Sequence, residues 1–110
     1  MSDDCIFCKI VNKEIPSDMI FEDEKLVVFK DIRPQAPVHL LIVPKKHIRS
    51  INDLRPDDLE ICGHMLLIAH KIAEKSGVDK SGYKLGFHVE KGGGQEVFHL
   101  HMHLVGGWQA

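Results

Sequence analysis

Three histidines, His99, His101 and His103, stand at every second position of the segment 97–105, and large apolar residues separate them. Successive side chains of a strand point to opposite faces, so the pattern predicts a strand over 97–105 with the histidines on one face. Val97 and Val105 share that face, and the opposite, apolar face carries Phe98, Leu100, Met102 and Leu104. The segment therefore predicts a sheet with a core on one side and a row of imidazoles on the other.

The spacing of the three rings limits what they can do together. At a rise of about 3.3 Å per residue, neighbouring histidines stand about 6.6 Å apart and the outer two about 13 Å apart. Two of them can hold one metal ion, but all three cannot, because bonds from histidine to zinc are about 2 Å long. Imidazole can attack, donate and accept near neutral pH, so chemistry on a phosphorus centre also fits the row. A solvent-facing strand rich in histidine is the alternative.

Composition excludes several classes of function. The 110 residues predict a single domain, 1–110, with 44% hydrophobic and 27% charged residues, as in a soluble globular protein. A net charge of −2 argues against binding DNA or RNA through a basic face. No apolar run approaches the ~20 residues that cross a bilayer, so no membrane partner is expected. The segment 1–4 lacks the parts of a signal peptide, and we expect a cytoplasmic protein.

The remaining pattern predicts an α+β domain. Strands are predicted over 19–22, 26–32, 38–43, 83–89 and 97–105, after a short amphipathic opening at 6–11. A helix is predicted from about Pro56 to Ser76, and Gly77 closes it. Its apolar stripe, expected to lie on the sheet, comprises Leu59, Cys62, Leu66, Ala69 and Ala73. Short connections between strands favour an antiparallel sheet with one long helix.

The cysteines indicate a second kind of chemistry. Cys5 and Cys8 have the two-residue gap of a zinc knuckle, and two histidines would complete a tetrahedral site. A pair of free buried thiols is the alternative. Cys62, within the helical pattern, is predicted to be a small core residue.

The string from His99 to Val105, preceded by Gly93, Gly94 and Gln95, resembles the signature of the histidine triad family of nucleotide-binding hydrolases and transferases. Further matches lie at 6–10, 29–37 and 39–48, so the resemblance spans almost the whole chain in the right order. The branch it most resembles is that of the purine nucleoside phosphoramidases. The resemblance implies a five-stranded antiparallel sheet with a long helix and a short N-terminal helix.

The resemblance also implies catalytic roles. His101 would be the nucleophile that displaces the amine from the α-phosphate of a purine nucleoside 5′-phosphoramidate, leaving a nucleotidyl-histidine that water opens. His103 would steady the phosphoryl oxygens, and His39 would orient the triad, whose first member is His99. A satisfied core histidine is the alternative for His39.

Nucleotide-binding residues follow from the same resemblance. The carboxylate of Asp31 would accept the ribose hydroxyls, and Gly94 and Gln95 would approach the phosphate. A turn-capping aspartate is the alternative for Asp31, and a glycine that serves only the turn is the alternative for Gly94. The apolar base pocket would comprise Ile6, Phe7, Phe29, Ile32 and Leu41, each of which could equally be plain core. His88 and Glu96 depart from the familiar pattern, because many relatives carry asparagine at the first position and the animal branch carries serine at the second. Both are expected near the leaving group.

A structural Zn²⁺, held by Cys5, Cys8, His47 and His99, is implied as the cofactor, and no organic cofactor is expected. The family dimerises through the helix and the fourth strand, so a homodimer with a continuous ten-stranded sheet is implied. The expected ligands are AMP, GMP or their phosphoramidates. Two other functions stay open: a dinucleoside polyphosphate hydrolase, and a zinc-stabilised nucleotide-binding adaptor without turnover.

Overall fold

The computed structural model describes residues 5–108, so the segment 1–4, expected to lack the parts of a signal peptide, lies outside the described residues. Its elements are α1 (Ile6–Val11), β1 (Met19–Glu22), β2 (Leu26–Lys30), β3 (Val38–Pro44), α2 (Leu59–Lys75), β4 (Tyr83–Gly86) and β5 (Met102–Gly106). Within 5–108, neither helix has the length and apolar character that crossing a membrane requires. The predicted α+β architecture, with five strands, one long helix and a short N-terminal helix, is confirmed.

The five strands form one antiparallel sheet in the order β1-β2-β3-β5-β4. The central strand β3 pairs with β2 on one side and with β5 on the other. In the second pairing, Leu41 is opposite His103 and His39 is opposite Val105. Two strands distant in sequence are thus joined so that His39 and His103 come together.

The inner strands are apolar at nearly every position, so both faces of the sheet have apolar side chains to bury. One face packs against α2 and the other against α1. On β2, Leu26 and Val28 belong to the core shared with α2, whereas Val27 and Phe29 belong to a second cluster with α1. The alternation follows from the twofold period of a strand. The sheet therefore separates a large core from a smaller layer, and the smaller layer contains the site.

Helix α2 ends where the sequence indicates but begins at Leu59, three residues after the predicted start, and its buried stripe differs from the predicted one. A short 3₁₀ turn, Pro56–Asp58, precedes it, and Gly77 ends it with a φ of +75°, which a glycine adopts without strain. Leu59 and Leu66 are exposed, and Cys62 is only partly buried. The residues that pack on the sheet are Met65, Ile68, Ala69, Ile72 and Ala73. The prediction of Leu59 and Leu66 in the core was wrong because the helix has apolar residues on both faces.

The predicted strand over 97–105 is shorter in the structure. β5 starts at Met102, and the backbone bends at 97–99. Leu100, Met102 and Leu104 are in the core as predicted, but Phe98 is exposed and lies under the guanidinium of Arg49. The bend gives His99 surroundings different from those of the other two histidines.

The second and fourth strands also end earlier than predicted, at Lys30 and Gly86. β4 ends at Gly86 because this residue is opposite His103, near the start of β5. The segment 87–101 between these strands is therefore free to form the loops around the site.

Candidate functional site

A groove lies on the face of the sheet that α1 partly covers. Its lining includes most of the residues predicted to bind nucleotide, namely Ile6, Phe7, Phe29, Asp31, Ile32, Leu41, His88, Gly94, Glu96 and His103, together with His39. One wall is apolar, and the other carries Asp31 and the rings of His39, His88 and His103. Two residues predicted to bind nucleotide, His101 and Gln95, are buried and are not among the residues that line the groove. The groove thus offers an apolar surface beside polar, chargeable groups, as nucleotide sites do.

The apolar wall is built around Phe7. Its ring contacts that of Phe29 edge to face, with centroids 5.4 Å apart, and Leu41 of β3 packs in the same cluster. Ile32 follows β2 and is 92% exposed in the groove. A flat aromatic ligand such as a purine would cover apolar surface here with the face of its ring, and that surface is otherwise in water.

Asp31 stands at the end of β2, between the apolar wall and the histidines. Its backbone N–H donates to the carbonyl of His39, and one carboxylate oxygen accepts the N–H of Arg33 at 2.9 Å. The other oxygen lies 3.4 Å from Nε2 of His39. The carboxylate is therefore held in place while it keeps acceptor capacity for hydroxyl groups.

A chain of hydrogen bonds fixes the tautomers of His39 and His103. The backbone N–H of Gln35 donates to Nδ1 of His39 at 3.0 Å, so the ring proton of His39 is on Nε2. That Nε2 donates to Nδ1 of His103 at 3.0 Å. The proton of His103 is then on its own Nε2, which is buried without a hydrogen-bond partner among residues 5–108. His103 thus has one N–H available for an oxygen of a ligand.

His101 has the opposite tautomer. Its Nδ1–H donates to the carbonyl oxygen of His99 at 2.7 Å, which leaves a lone pair on Nε2. The ring is buried against the edge of Phe7, with centroids 5.0 Å apart, and is tilted toward His103 at the same distance. A neutral imidazole held in this way has an Nε2 lone pair that can attack an electrophile or accept a hydrogen bond.

His99 does not share the environment of the other two, contrary to the single face predicted for the three rings. It is fully buried, and its Nε2–H donates to the carbonyl of Pro44 at 2.8 Å. Its Nδ1 lone pair points to Cys5, Cys8 and His47. The bend at 97–99 explains this change of direction.

The four residues predicted to bind metal are brought together. Nδ1 of His99 lies 3.2 Å from Sγ of Cys5, 3.5 Å from Sγ of Cys8 and 3.1 Å from Nδ1 of His47. One lone pair cannot satisfy three such neighbours at once. Around a tetrahedral zinc ion, two nitrogens would be about 3.3 Å apart and a nitrogen and a sulfur about 3.5 Å apart. The cluster could therefore hold a metal ion, with His99 and His47 using the same type of nitrogen.

The rings of His99, His101 and His103 are neutral at physiological pH, because the pKa of each is lowered. Burial lowers the pKa of His99 to about 4. Burial and the neighbouring histidines lower the pKa of His103 to about 4 as well, and burial lowers the pKa of His101. A neutral ring is what both a metal ligand and a nucleophile require.

Gln95, predicted to bind nucleotide, has its side chain buried away from the groove. Its Nε2 donates to the carbonyls of Arg49 and Val97, and its Oε1 accepts the N–H of Glu90 at 2.8 Å. Ser50 and Arg49 donate to the carboxylate of Glu90. These bonds fasten the loop 90–95, and within it Gly94, with a φ of +85°, lines the groove. In this structure Gln95 supports the loop rather than facing a ligand.

His88 and Glu96, the two departures from the family pattern, both line the groove. The ring of His88 is stacked on that of His103, with centroids 4.5 Å apart and planes 29° apart. Glu96 is exposed at the rim. The sequence alone could not indicate the stacking, because it depends on β4 pairing with β5.

Other groups that orient the site gave no signal in the sequence. The two groups are the backbone N–H of Gln35 and the backbone carbonyl of Pro44. Every residue type has a backbone carbonyl, and every type except proline has a backbone N–H, so neither group depends on the side chain. Lys84 and Leu85 of β4 also line the groove. Only the pairing of the strands reveals them.

The fold and the site together define a small nucleotide-binding hydrolase domain built around a histidine triad. The family model described as "Scavenger mRNA decapping enzyme C-term binding" matches residues 4–108, and the chain belongs to the histidine triad family. A purine nucleoside phosphoramidase of Escherichia coli (strain K12) is 45% identical over 107 residues, which cover 97% of this chain and 90% of that protein.

Solved structures agree with this assignment. A histidine triad family hydrolase from Legionella pneumophila Philadelphia 1 has a TM-score of 0.94 and 54% identity, over 96% of this chain and 95% of the other. A Zn-bound histidine triad family protein from Mycobacterium smegmatis has a TM-score of 0.82 and 29% identity, over 97% and 77%. The fold is therefore that of the family.

Proposed function

We propose that this protein hydrolyses purine nucleoside 5′-phosphoramidates, and related acyl-adenylates, through a nucleotidyl-histidine at His101. The apolar wall would take the purine, Asp31 the ribose hydroxyls, and the histidine end of the groove the α-phosphate. The name of the Escherichia coli relative supports this choice of substrate. The observation that carries the proposal is the hydrogen bond from Nδ1 of His101 to the carbonyl of His99 at 2.7 Å, because it presents Nε2 as a lone pair.

The reaction would take two steps. In the first, the Nε2 lone pair of His101 attacks phosphorus, the P–N bond of the substrate breaks with its electron pair on nitrogen, and the departing amine takes up a proton from solvent. The free Nε2–H of His103 would donate to a phosphoryl oxygen as its charge builds. In the second, water attacks phosphorus, the bond to His101 breaks and returns its electron pair to Nε2, and the water gives up a proton to solvent. The products are an amine and a nucleoside monophosphate.

The first experiment is the release of AMP from adenosine 5′-phosphoramidate by the native protein and by His101→Ala. We expect turnover by the native protein, and a loss of at least about a thousandfold in the variant, because it lacks the nucleophile. His70→Ala is the matched control, since His70 is exposed on α2 and lies outside the groove. Both variants must keep the native melting temperature.

The outcome also separates the alternatives. Turnover by His101→Ala would contradict the assigned nucleophile. Faster cleavage of a dinucleoside polyphosphate than of the phosphoramidate would favour the phosphoanhydride hydrolase. A rise in melting temperature with AMP, without product from either substrate, would favour the adaptor.

We further propose that the ion at Cys5, Cys8, His47 and His99 is a structural Zn²⁺. Two thiolates and two imidazoles form a closed tetrahedral set that leaves no position for water, so the ion would supply folding energy rather than chemistry. It would tie α1 to the end of β3 and to the triad. A reducing cytoplasm would keep both thiols available as ligands.

Metal analysis of protein purified without chelator tests this assignment. We expect one zinc per chain in the native protein and none in Cys8→Ser, together with a lower melting temperature for the variant. Cys62→Ser is the matched control, because Cys62 is a free cysteine on α2, outside the cluster. Full zinc content in Cys8→Ser, or none in the native protein, would contradict the site.

The partner in solution that we propose is a second copy of this chain. β4 is an edge strand of the sheet, and Leu59, Leu66 and Leu67 are exposed on the outer face of α2. Within residues 5–108, the outer edge of β4 is unpaired, and this edge and the exposed leucines each support pairing with a like surface, which would join the two sheets.

A further inference from the structure

Glu90 begins the loop 90–95, and its backbone has a conformation that a side chain disfavours. Its φ of 60° and ψ of 176° lie in a region that almost only glycine occupies. A residue with a Cβ keeps such angles only where the surrounding contacts impose them, and such residues are frequent at binding sites. The contacts of Glu90 should therefore explain why this strain is maintained.

The carboxylate of Glu90 is bound by groups outside the loop. Oγ of Ser50, a residue that is only 1% exposed, donates to it at 2.6 Å, and the guanidinium of Arg49 donates to both of its oxygens. Ser50 is itself fixed, because its Oγ accepts the backbone N–H of Asn52 at 3.1 Å. The bonds from Ser50 and Arg49 keep the pKa of the Glu90 carboxyl below its usual range, so the group is an anion at neutral pH. We call these bonds the Glu90 anchor.

The backbone of Glu90 closes the loop on itself. Its carbonyl accepts the N–H of Gly93 at 3.0 Å and the N–H of Gln95 at 3.1 Å, and its own N–H donates to the side chain of Gln95 at 2.8 Å. Gly94 lines the groove between these bonds, and a Cβ on it would lie 4.0 Å from Nδ1 of His88. The conformation of Glu90 therefore determines where the loop passes the histidine end of the groove.

We propose that Glu90 is a positioning residue: its anchor on Ser50 and Arg49 imposes the strained backbone and so keeps the loop 90–95 in the shape that receives the nucleotide phosphate. The inference rests on the proposed function, because it assumes that the phosphate lies at the histidine end of the groove. Among residues 5–108, those that line the groove do not include Glu90. The residue thus acts through the loop and not by touching the ligand.

The sign of the effect on AMP binding separates positioning from charge. Glu90 is a negative group near the bound anion, so its removal would strengthen binding if charge alone mattered. Loss of the anchor should weaken binding instead, because the loop must then be ordered when the ligand binds. In calorimetric titrations we expect Glu90→Ala to bind AMP about tenfold more weakly than the native protein. Adenosine, which has no phosphate, should bind to both with the same affinity.

Two further variants separate positioning from stability. Glycine adopts the angles of position 90 without strain, so Glu90→Gly should melt at a higher temperature than Glu90→Ala, yet bind AMP as weakly. Glu90→Gln should recover most of the AMP affinity, because its amide oxygen still accepts the hydroxyl of Ser50. Glu74→Ala is the matched control, since Glu74 is exposed on α2 and lies outside the groove.

Amide hydrogen exchange, measured by NMR without ligand, tests the anchor independently of the proposed function. The N–H groups of Gly93 and Gln95 should exchange at least about tenfold faster in Glu90→Ala than in the native protein, since the bonds to the Glu90 carbonyl open more often. Unchanged exchange overturns the anchor. Native AMP affinity in Glu90→Ala and Glu90→Gly, or an equal loss of affinity for adenosine, overturns the positioning role. If the native protein binds neither ligand, the proposed function is wrong, whereas faster exchange in Glu90→Ala still supports the anchor.

Discussion

The histidines that accept or donate hydrogen bonds in the site are each oriented by a backbone group or a ring of another residue. The carbonyl of Pro44 orients His99, and the carbonyl of His99 orients His101. The sequence predicts which histidines belong to the site, because their spacing and the family resemblance depend on residue type. It does not predict their tautomers, since those depend on backbone atoms that the fold brings near.

Gln95 is the residue whose predicted and observed surroundings differ most. We expect Gln95→Glu to lower the free energy of unfolding by about 2–4 kcal/mol, because two carbonyls lose their donor in a buried place. The variant should also bind AMP more weakly, since the loop 90–95 is no longer fastened.

Urea unfolding and AMP titration measure the two effects. Asn52→Asp is the control, because Asn52 is exposed and lies outside the groove. Unchanged stability in Gln95→Glu would contradict the supporting role.

At the scale of the elements, the sequence predicts the existence of every strand and helix more reliably than their ends or faces. Helix α2 has apolar residues around much of its surface, so the periodicity permits two stripes, and only the sheet decides which is buried. β5 starts five residues later than predicted because of the bend at 97–99, which turns His99 toward Cys5, Cys8 and His47. Tertiary contacts therefore override the local pattern at both places.

The buried stripe of α2 makes a quantitative prediction. Met65 is 1% exposed, and we expect Met65→Ala to destabilise the protein by about 2–5 kcal/mol through lost burial and a cavity. Lys71→Ala, on the exposed face of the same helix, should change stability by less than about 0.5 kcal/mol. Urea unfolding at one protein concentration measures both, and similar losses for the two variants would contradict the observed stripe.

At the scale of the whole molecule, one sheet separates two layers with different tasks. The layer with α2 is a continuous apolar core, and the layer with α1 combines the cysteine cluster and the groove. The five-stranded antiparallel class was predictable because turn residues separate the apolar runs. The placement of groove, cluster and outer leucines was not, since it depends on the order of strands in the sheet.

The proposed dimer belongs to this scale. Leu66 is 54% exposed on α2, and we expect Leu66→Lys to shift the protein from dimer to monomer in sedimentation experiments, because a charge would be buried against a like surface. Glu24→Lys, at the exposed turn between β1 and β2, should leave the dimer intact. A native protein that sediments as a monomer at micromolar concentration would contradict the proposal.

His99 contacts the cysteine cluster through its ring and His101 through its backbone carbonyl. Its ring points to the cysteines, while its carbonyl oxygen accepts a hydrogen bond from Nδ1–H of His101. Replacing His99 would therefore disturb the cysteine cluster and the aim of the nucleophile in the same molecule. An inactive substitution at this position would give no information about participation in the reaction, and conclusions about the triad should rest on changes at positions 101 and 103.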